Sequence, residues 1–371
     1  MKRILSLMLV LPLVASAAAG CKKSSSGDDD TAGENGGGGE NGGGANGGQG
    51  GDGTGPTKPG DVPPEDLAKN PIENIAAPKA VFTAGAYTDG PVWHAKLGVL
   101  FFTTPLGEGG LFRMLPDGRV MKVRDGVRAE GSTPVGNTIN AAGELVTAEV
   151  KRITRTAFDE KNAALAPVVI ATGYDPNGQP VPGPESTSKP GIFDTLNDVV
   201  AKKDGTLFVT DPGFFENANA NRIFRVAPDG TVQVVEAFED VPRPNGIALS
   251  PDEKYLYVGF TTPVQGTLPF IRQYIVNPDG TLGEWTKFVD IGPDADSKPD
   301  GIAVDLAGNV YVATKVGVEV FKPDSSKIGQ VPMEEKPTGL CFGGKDMKSL
   351  YVTTEGVKVW ELRVNVPGIS Q

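Results

Sequence analysis

The chain has one histidine, two cysteines and three tryptophans among its 371 residues, and a formal net charge of -11. A single imidazole, His94, excludes a two-histidine zinc site and any mechanism that needs a base and a ligand imidazole together. It follows Trp93 in a strand-like stretch and reads as a structural residue. Clustered lysine and arginine are also missing, which argues against a nucleic-acid partner, because phosphate recognition needs a concentrated basic patch. Cys341, in the apolar run Leu340-Cys341-Phe342, has no histidine near it in sequence to activate it and reads as a small buried hydrophobe. Helix signals are scarce throughout.

Long apolar runs are equally absent. The longest near the start, residues 4–13, follows Lys2 and Arg3 and is too short to cross a bilayer. With the small residues 15–20 behind it, it has the layout of an export signal. Ala18-Ala19-Gly20-Cys21 is similar to a bacterial lipoprotein box, with Ala18 where leucine is usual. Residues 1–20 are therefore expected to be a lipoprotein signal, Cys21 the lipidated residue, and the chain exported and anchored in the cell envelope by lipid alone. Residues 21–70 are rich in Gly, Asn, Ser, Asp and Pro, too poor in apolar groups to offset ordering entropy, and are expected to form a flexible tether. Glycine runs there match phosphate-loop patterns without the strand and helix that such a loop requires.

What the remainder does have is an internal repeat. Short apolar strands recur around Leu100, Leu145, Leu207, Leu256, Val310 and Leu350, separated by 45, 62, 49, 54 and 40 residues. Pro-Asp-Gly triplets at 116–118, 228–230 and 278–280 separate strand-like runs and fit tight turns. Units of this length with four strand-like runs favour closure into a ring over a β-sandwich or a solenoid. Residues 71–371 are thus expected to form an all-β, six-bladed β-propeller, with the most apolar strands, such as Leu207-Phe208-Val209, on the inside.

Roughly ten residues ahead of each strand stands a second recurring element, the head: Asp89-Gly90-Pro91, Val135-Gly136-Asn137, Asn197-Asp198-Val199, Asn245-Gly246-Ile247, Asp300-Gly301-Ile302 and Gly339-Leu340. Asp-Gly and Asn-Gly are common turn formers, so one head alone means little. Four at matching phase place Asp89, Asn197, Asn245 and Asp300 at equivalent positions around one axis. Two carboxylates and two amide oxygens make a hard site suited to Ca2+ or Mg2+, with Mn2+ or Zn2+ as substitutes. Open positions would be filled by water or by a substrate oxygen. Between residues 174 and 193 an insertion rich in Pro, Gly and Ser lengthens one repeat; it is either a flap over the mouth of the ring or a surface excursion.

With Gly90-Pro91-Val92-Trp93, Asn197-Asp198-Val199-Val200, Pro244-Asn245-Gly246-Ile247 through Asp252, Pro299-Asp300-Gly301-Ile302 through Asp305, and Phe342-Gly343-Gly344-Lys345-Asp346, the chain resembles the gluconolactonase and senescence-marker-protein (regucalcin-like) propellers over about residues 80–368. The resemblance implies one divalent cation, usually calcium, held by Asp89, Asn197, Asn245 and Asp300, and a hydrolase of lactones or related esters. It also implies that Asp300 is general base or orienter of the attacking water. Four departures bear on substrate: Asp89 stands where glutamate is usual, Thr195 occupies a substrate-binding position that often carries arginine, and Val135 and Gly339 replace asparagine. The leading expectation is a monomeric calcium-dependent hydrolase acting on a small lactone or ester. The alternative is a non-enzymatic, metal-stabilised propeller that binds a ligand or protein partner.

Overall fold

A computed structural model describes residues 59–106, 109–175, 191–214, 221–238, 242–262, 266–292 and 297–369. The expected signal segment, Cys21 and most of the tether lie outside these residues, as does the centre of the 174–193 insertion. Its base is a two-residue pairing of Gly173–Tyr174 with Gly191–Ile192.

Six four-stranded antiparallel sheets follow one another around an axis. From inside outward, blade 1 is Asp89–His94, Val99–Thr103, Gly110–Met114 and Val120–Asp125. Blade 2 is Pro134–Ile139, Leu145–Glu149, Arg152–Thr156 and Val168–Ala171. Blade 3 is Val199–Ala201, Leu207–Asp211, Asn221–Val226 and Val232–Phe238, and blade 4 is Arg243–Leu249, Tyr255–Thr262, Phe270–Val276 and Leu282–Asp290. Blade 5 is Ile302–Val304, Val310–Thr314, Gly317–Phe321 and Lys327–Val331. Blade 6 joins the two ends of the domain: Pro337–Gly343, Ser349–Thr354 and Lys358–Arg363 take Lys79–Thr83 as their outermost strand. That pairing joins the first and last parts of the domain in one sheet and so closes the ring.

The six-bladed expectation holds, with one change of layer. The heads are themselves the start of the innermost strands, so Leu207-Phe208-Val209 and its equivalents are second strands, sandwiched between blades. Their apolar character follows from that position: both faces meet a neighbouring blade, and the buried side chains form six clusters, one at each junction. Phe101 and Leu111 meet Ile139 and Leu145 between blades 1 and 2, while Leu100 and Phe102 meet Tyr351 and Val359 across the closure. The Pro-Asp-Gly triplets form the third-to-fourth-strand turns; Gly118, for example, has φ +83° and donates its N–H to Leu115 O at 2.9 Å.

Head glycines serve a different purpose. A Cβ at Gly246 would lie 2.0 Å from Asp300 O, and one at Gly90 2.0 Å from Val135 O. Neighbouring inner strands pack too closely here for any side chain. The heads are therefore close approaches of backbone to backbone, which is how residues far apart in sequence are drawn to one axis.

The last part of the expected tether is ordered against the ring. Pro59–Asp61 is a 3-10 turn and Pro64–Leu67 a single helical turn. Ile72 and Ile75 pack on the blade 5–6 cluster, and Asn365 Nδ2 donates to Asn70 O and Glu73 O. Among the described residues no helix is long and apolar enough to cross a membrane.

Candidate functional site

The innermost strands enclose an axial cavity of about 280 Å³. Asp89, Asn197, Asn245 and Asp300 all line it at the end where these strands begin, while Lys202, Lys203 and Glu253 lie toward the other end. Residues separated by up to 211 positions are thereby brought to one mouth.

Backbone pairing positions each of the four. Asp89 opens the blade 1 inner strand opposite Thr103, and its Oδ1 accepts the N–H of Gly90 at 2.8 Å. Asn197 donates its N–H to Thr210 O at 2.9 Å, and Asp300 donates its N–H to Ala313 O at 2.9 Å. Asn245 is 4% exposed. Its Nδ2 donates to Thr261 Oγ1 and to Asp300 Oδ1, both at 2.9 Å, and Thr261 in turn donates to Pro299 O at 2.8 Å. These two bonds fix which way the amide faces. Asn245 Oδ1 is left buried with no hydrogen-bond partner.

A buried amide oxygen without a donor is costly in free energy, and buried polar atoms in folded proteins nearly always find a partner. A hard cation in the mouth would supply it. The carboxylates fit the same reading. Burial pushes the Asp300 carboxyl up to about 7, with Lys336 pulling it down and Glu355 pushing it further up. Asp89 lies well above the usual carboxylate range through burial and through repulsion from Asp300. Two carboxylates raised by burial, Asp89 further by the charge of Asp300 and Asp300 by those of Glu355 and Asp198, are the arrangement that a dication relieves, returning both to the ionised form. Among the described residues no cluster of three or more His, Cys, Asp or Glu side chains is arranged to hold a metal ion. A cation at the mouth therefore depends on amide oxygens as well as on these two carboxylates, and oxygen donors alone favour calcium or magnesium over zinc.

Residues 87–356 match the SMP-30/Gluconolactonase/LRE-like region. The chain belongs to that family. Among relatives, pentonolactonase XacC of Haloferax volcanii is 29% identical over 284 residues, covering 75% of this chain and 84% of the relative. The gluconolactonase of Zymomonas mobilis is 29% identical over 178 residues, which span 43% of this chain and 48% of that enzyme, about half its length. Solved structures agree on the family's propeller: a gluconolactonase from Xanthomonas campestris superposes with a TM-score of 0.62 at 23% identity, covering 80% of this chain and 91% of that one.

Thr195 is not brought to the mouth. It is 1% exposed, and its N–H donates to Asp211 Oδ1 at 2.7 Å, inside the wall of blade 3. Asp211, pushed up to about 6 by burial, gathers three backbone N–H groups there and serves the loop, not the cavity. The missing asparagine of the second head is offset two residues on. Asn137 lines the cavity, donates to Gly90 O at 2.7 Å and accepts from Thr147 Oγ1 at 2.8 Å, so it braces Asp89's own strand.

Two further groups escaped the sequence reading. Asp198, beside Asn197, lines the cavity and accepts the N–H groups of Val199 (2.9 Å) and Ile247 (3.1 Å); burial raises it to about 6. The head motif contained it, but repeat phase pointed only to the first residue of each head. Lys336 and Glu355 form an ion pair just outside the first inner-strand residue of blade 6, and both act on Asp300. They flank blade 6 strands outside any head, so no repeat signal marked them.

His94 and Cys341 behave structurally. His94 is 2% exposed, packed between Phe101 and Phe158, with Nε2 3.0 Å from Gly143 O and Nδ1 accepting the Leu97 N–H at 3.4 Å. That pattern makes the ring neutral with its proton on Nε2, and burial lowers its pKa. Burial pushes the Cys341 thiol well above its ordinary value, which removes nucleophilic character.

Proposed function

We propose that the protein is a calcium-dependent hydrolase of lactones or related esters, acting at the axial mouth. The observation that carries this reading is the partnerless Asn245 Oδ1, buried beside Asp300 in a cavity that both raised carboxylates line. Asp89, Asn197, Asn245 and Asp300 would hold the cation; the lactonase relatives support the substrate class. When bound, the ion supplies charge stabilisation for the developing oxyanion.

Asp300 orients the attacking water and takes its proton. Its second oxygen is free for this because Oδ1 is already engaged by Asn245. The water oxygen bonds to the carbonyl carbon, the ring C–O bond breaks, and the proton on Asp300 passes to the departing ring oxygen, leaving a hydroxy acid. Asn245 keeps the carboxylate aimed, and Thr261 keeps Asn245 aimed. Asp89, shorter than glutamate, reaches the mouth because Gly90 lets blades 1 and 2 approach closely.

The test is turnover of a panel of lactones and aryl esters with and without chelator, in the native protein and in Asp300→Asn. Chelator-sensitive hydrolysis lost in the variant supports the assignment; undiminished hydrolysis in the variant removes it. Silence across the panel, with calcium bound, favours the binding-module alternative.

Export and lipid attachment at Cys21 complete the proposal. The signal layout of residues 1–20 supports it. Retention of a Cys21→Ser variant in the membrane fraction would count against the anchor.

A further inference from the structure

Asp89, Asp300 and Asn245 Oδ1 offer the mouth acceptors only, and a cation satisfies those. A substrate bearing hydroxyl oxygens needs donors as well. Blade 6 sits between the two carboxylates and contributes no side chain to the ring: Thr338 Oγ1 donates to Thr88 O at 2.7 Å, next to Asp89, while Thr338 O accepts the Gly301 N–H at 2.6 Å, next to Asp300. Two residues before Thr338, at the entrance to this strand, stands Lys336.

Its backbone is pinned, since Lys336 O accepts the Glu355 N–H at 2.9 Å. Its ammonium is paired with the Glu355 carboxylate, the two side chains being 26% and 46% exposed. Its charge opposes the rise of both ring carboxylates, as the second influence on Asp300 and a minor one on Asp89. Such a pair at the surface is weak, and lysine carries three rotatable donors on a flexible stem. Exchanging one carboxylate for a substrate oxygen is therefore inexpensive, and Glu355 holds the ammonium along the rim until that exchange.

Resting on the lactonase reading above, we infer that Lys336 is the specificity-determining residue of the mouth, the cationic donor that holds a hydroxyl oxygen of a polyhydroxylated lactone beside the reacting carbonyl. Glu355 is its resting partner, not a contact of the substrate.

The experiment compares D-glucono-1,5-lactone with δ-valerolactone, the same ring without hydroxyls, in the native protein, Lys336→Met and Lys336→Arg. Lys336→Met should raise KM for the hydroxylated lactone about tenfold with kcat changed less than about threefold, as for loss of a charged hydrogen bond made equally in ground and transition states. With calcium saturating, the unsubstituted lactone should change far less, since any effect through the charge on Asp300 is shared by both substrates, and Lys336→Arg should restore most of the loss specific to the hydroxylated one. Calorimetry gives a second readout without turnover: gluconate binding to the calcium-loaded protein should weaken about tenfold in Lys336→Met, while calcium binding tightens about two- to fivefold as a neighbouring positive charge is removed. Equal effects on both lactones would overturn the inference. If the native protein hydrolyses neither lactone, the lactonase reading fails, and the gluconate titration still decides on Lys336: equal affinity in the two proteins, or no binding to either, overturns it.

Discussion

Asn245 Nδ2 and Asp300 Oδ1 are 2.9 Å apart, although the residues lie on neighbouring blades 55 positions apart in sequence. This bond makes one blade's amide responsible for the aim of the next blade's carboxylate. It also turns Asn245 Oδ1 away from every donor in the described structure.

Thr261 stands behind that bond. It accepts from Asn245 and donates to Pro299 O, one residue before Asp300. Thr261→Val removes the acceptor while keeping the shape, freeing the amide to rotate. Calcium affinity by calorimetry is expected to fall about tenfold, in line with loss of a group that orients a ligand, with a modest fall in melting temperature from the unpaired Pro299 O. Unchanged affinity would mean that Asn245 is aimed by packing alone.

Gly246 allows the ring to close. The nearest backbone atom to an added Cβ is Asp300 O at 2.0 Å, and backbone cannot step aside as a side chain can. Gly246→Ala should therefore force blades 4 and 5 apart, costing about 2–3 kcal/mol and lowering calcium affinity together. Thermal unfolding monitored with and without calcium reads both.

His94 should contribute a pH dependence of definite sign. Buried and neutral, its folded pKa lies below the ordinary value of 6.5. Its share of stability is present above about pH 6.5 and is lost as pH falls through that value toward the folded pKa, because the unfolded chain takes up the proton first. Asp211 and Asp305, raised to about 6, act in the opposite sense: the favourable share from each is present below about pH 4 and lost as pH rises through 6. A difference measurement separates them. The melting temperature of the native protein minus that of His94→Gln should shrink as pH is lowered from about 7.5 to 5.5, and a constant difference would show that the imidazole does not titrate with unfolding.

Much of this was legible in the residues themselves. Repeat spacing and Pro-Asp-Gly turns located the blades, since strand and turn chemistry are local. Phase among the heads placed Asp89, Asn197, Asn245 and Asp300 at one mouth. Local signals did not show that the heads are strands, because Gly246 and Gly90 read as turn residues until the neighbouring blade's carbonyl is seen pressed against them. Nor could they find Lys336 or Thr261, whose importance comes from what lies across a blade junction, or show that Thr195 is sealed behind Asp211.

The most direct test is a calcium titration by calorimetry of the native protein, Asp89→Asn and Asp300→Asn, with folding checked by melting temperature. One calcium per native chain, with affinity lost by about a hundredfold or more in each folded variant, is the predicted result. Calcium binding that is absent from the native protein, or that survives both substitutions undiminished, would contradict a shared dication at the axial mouth.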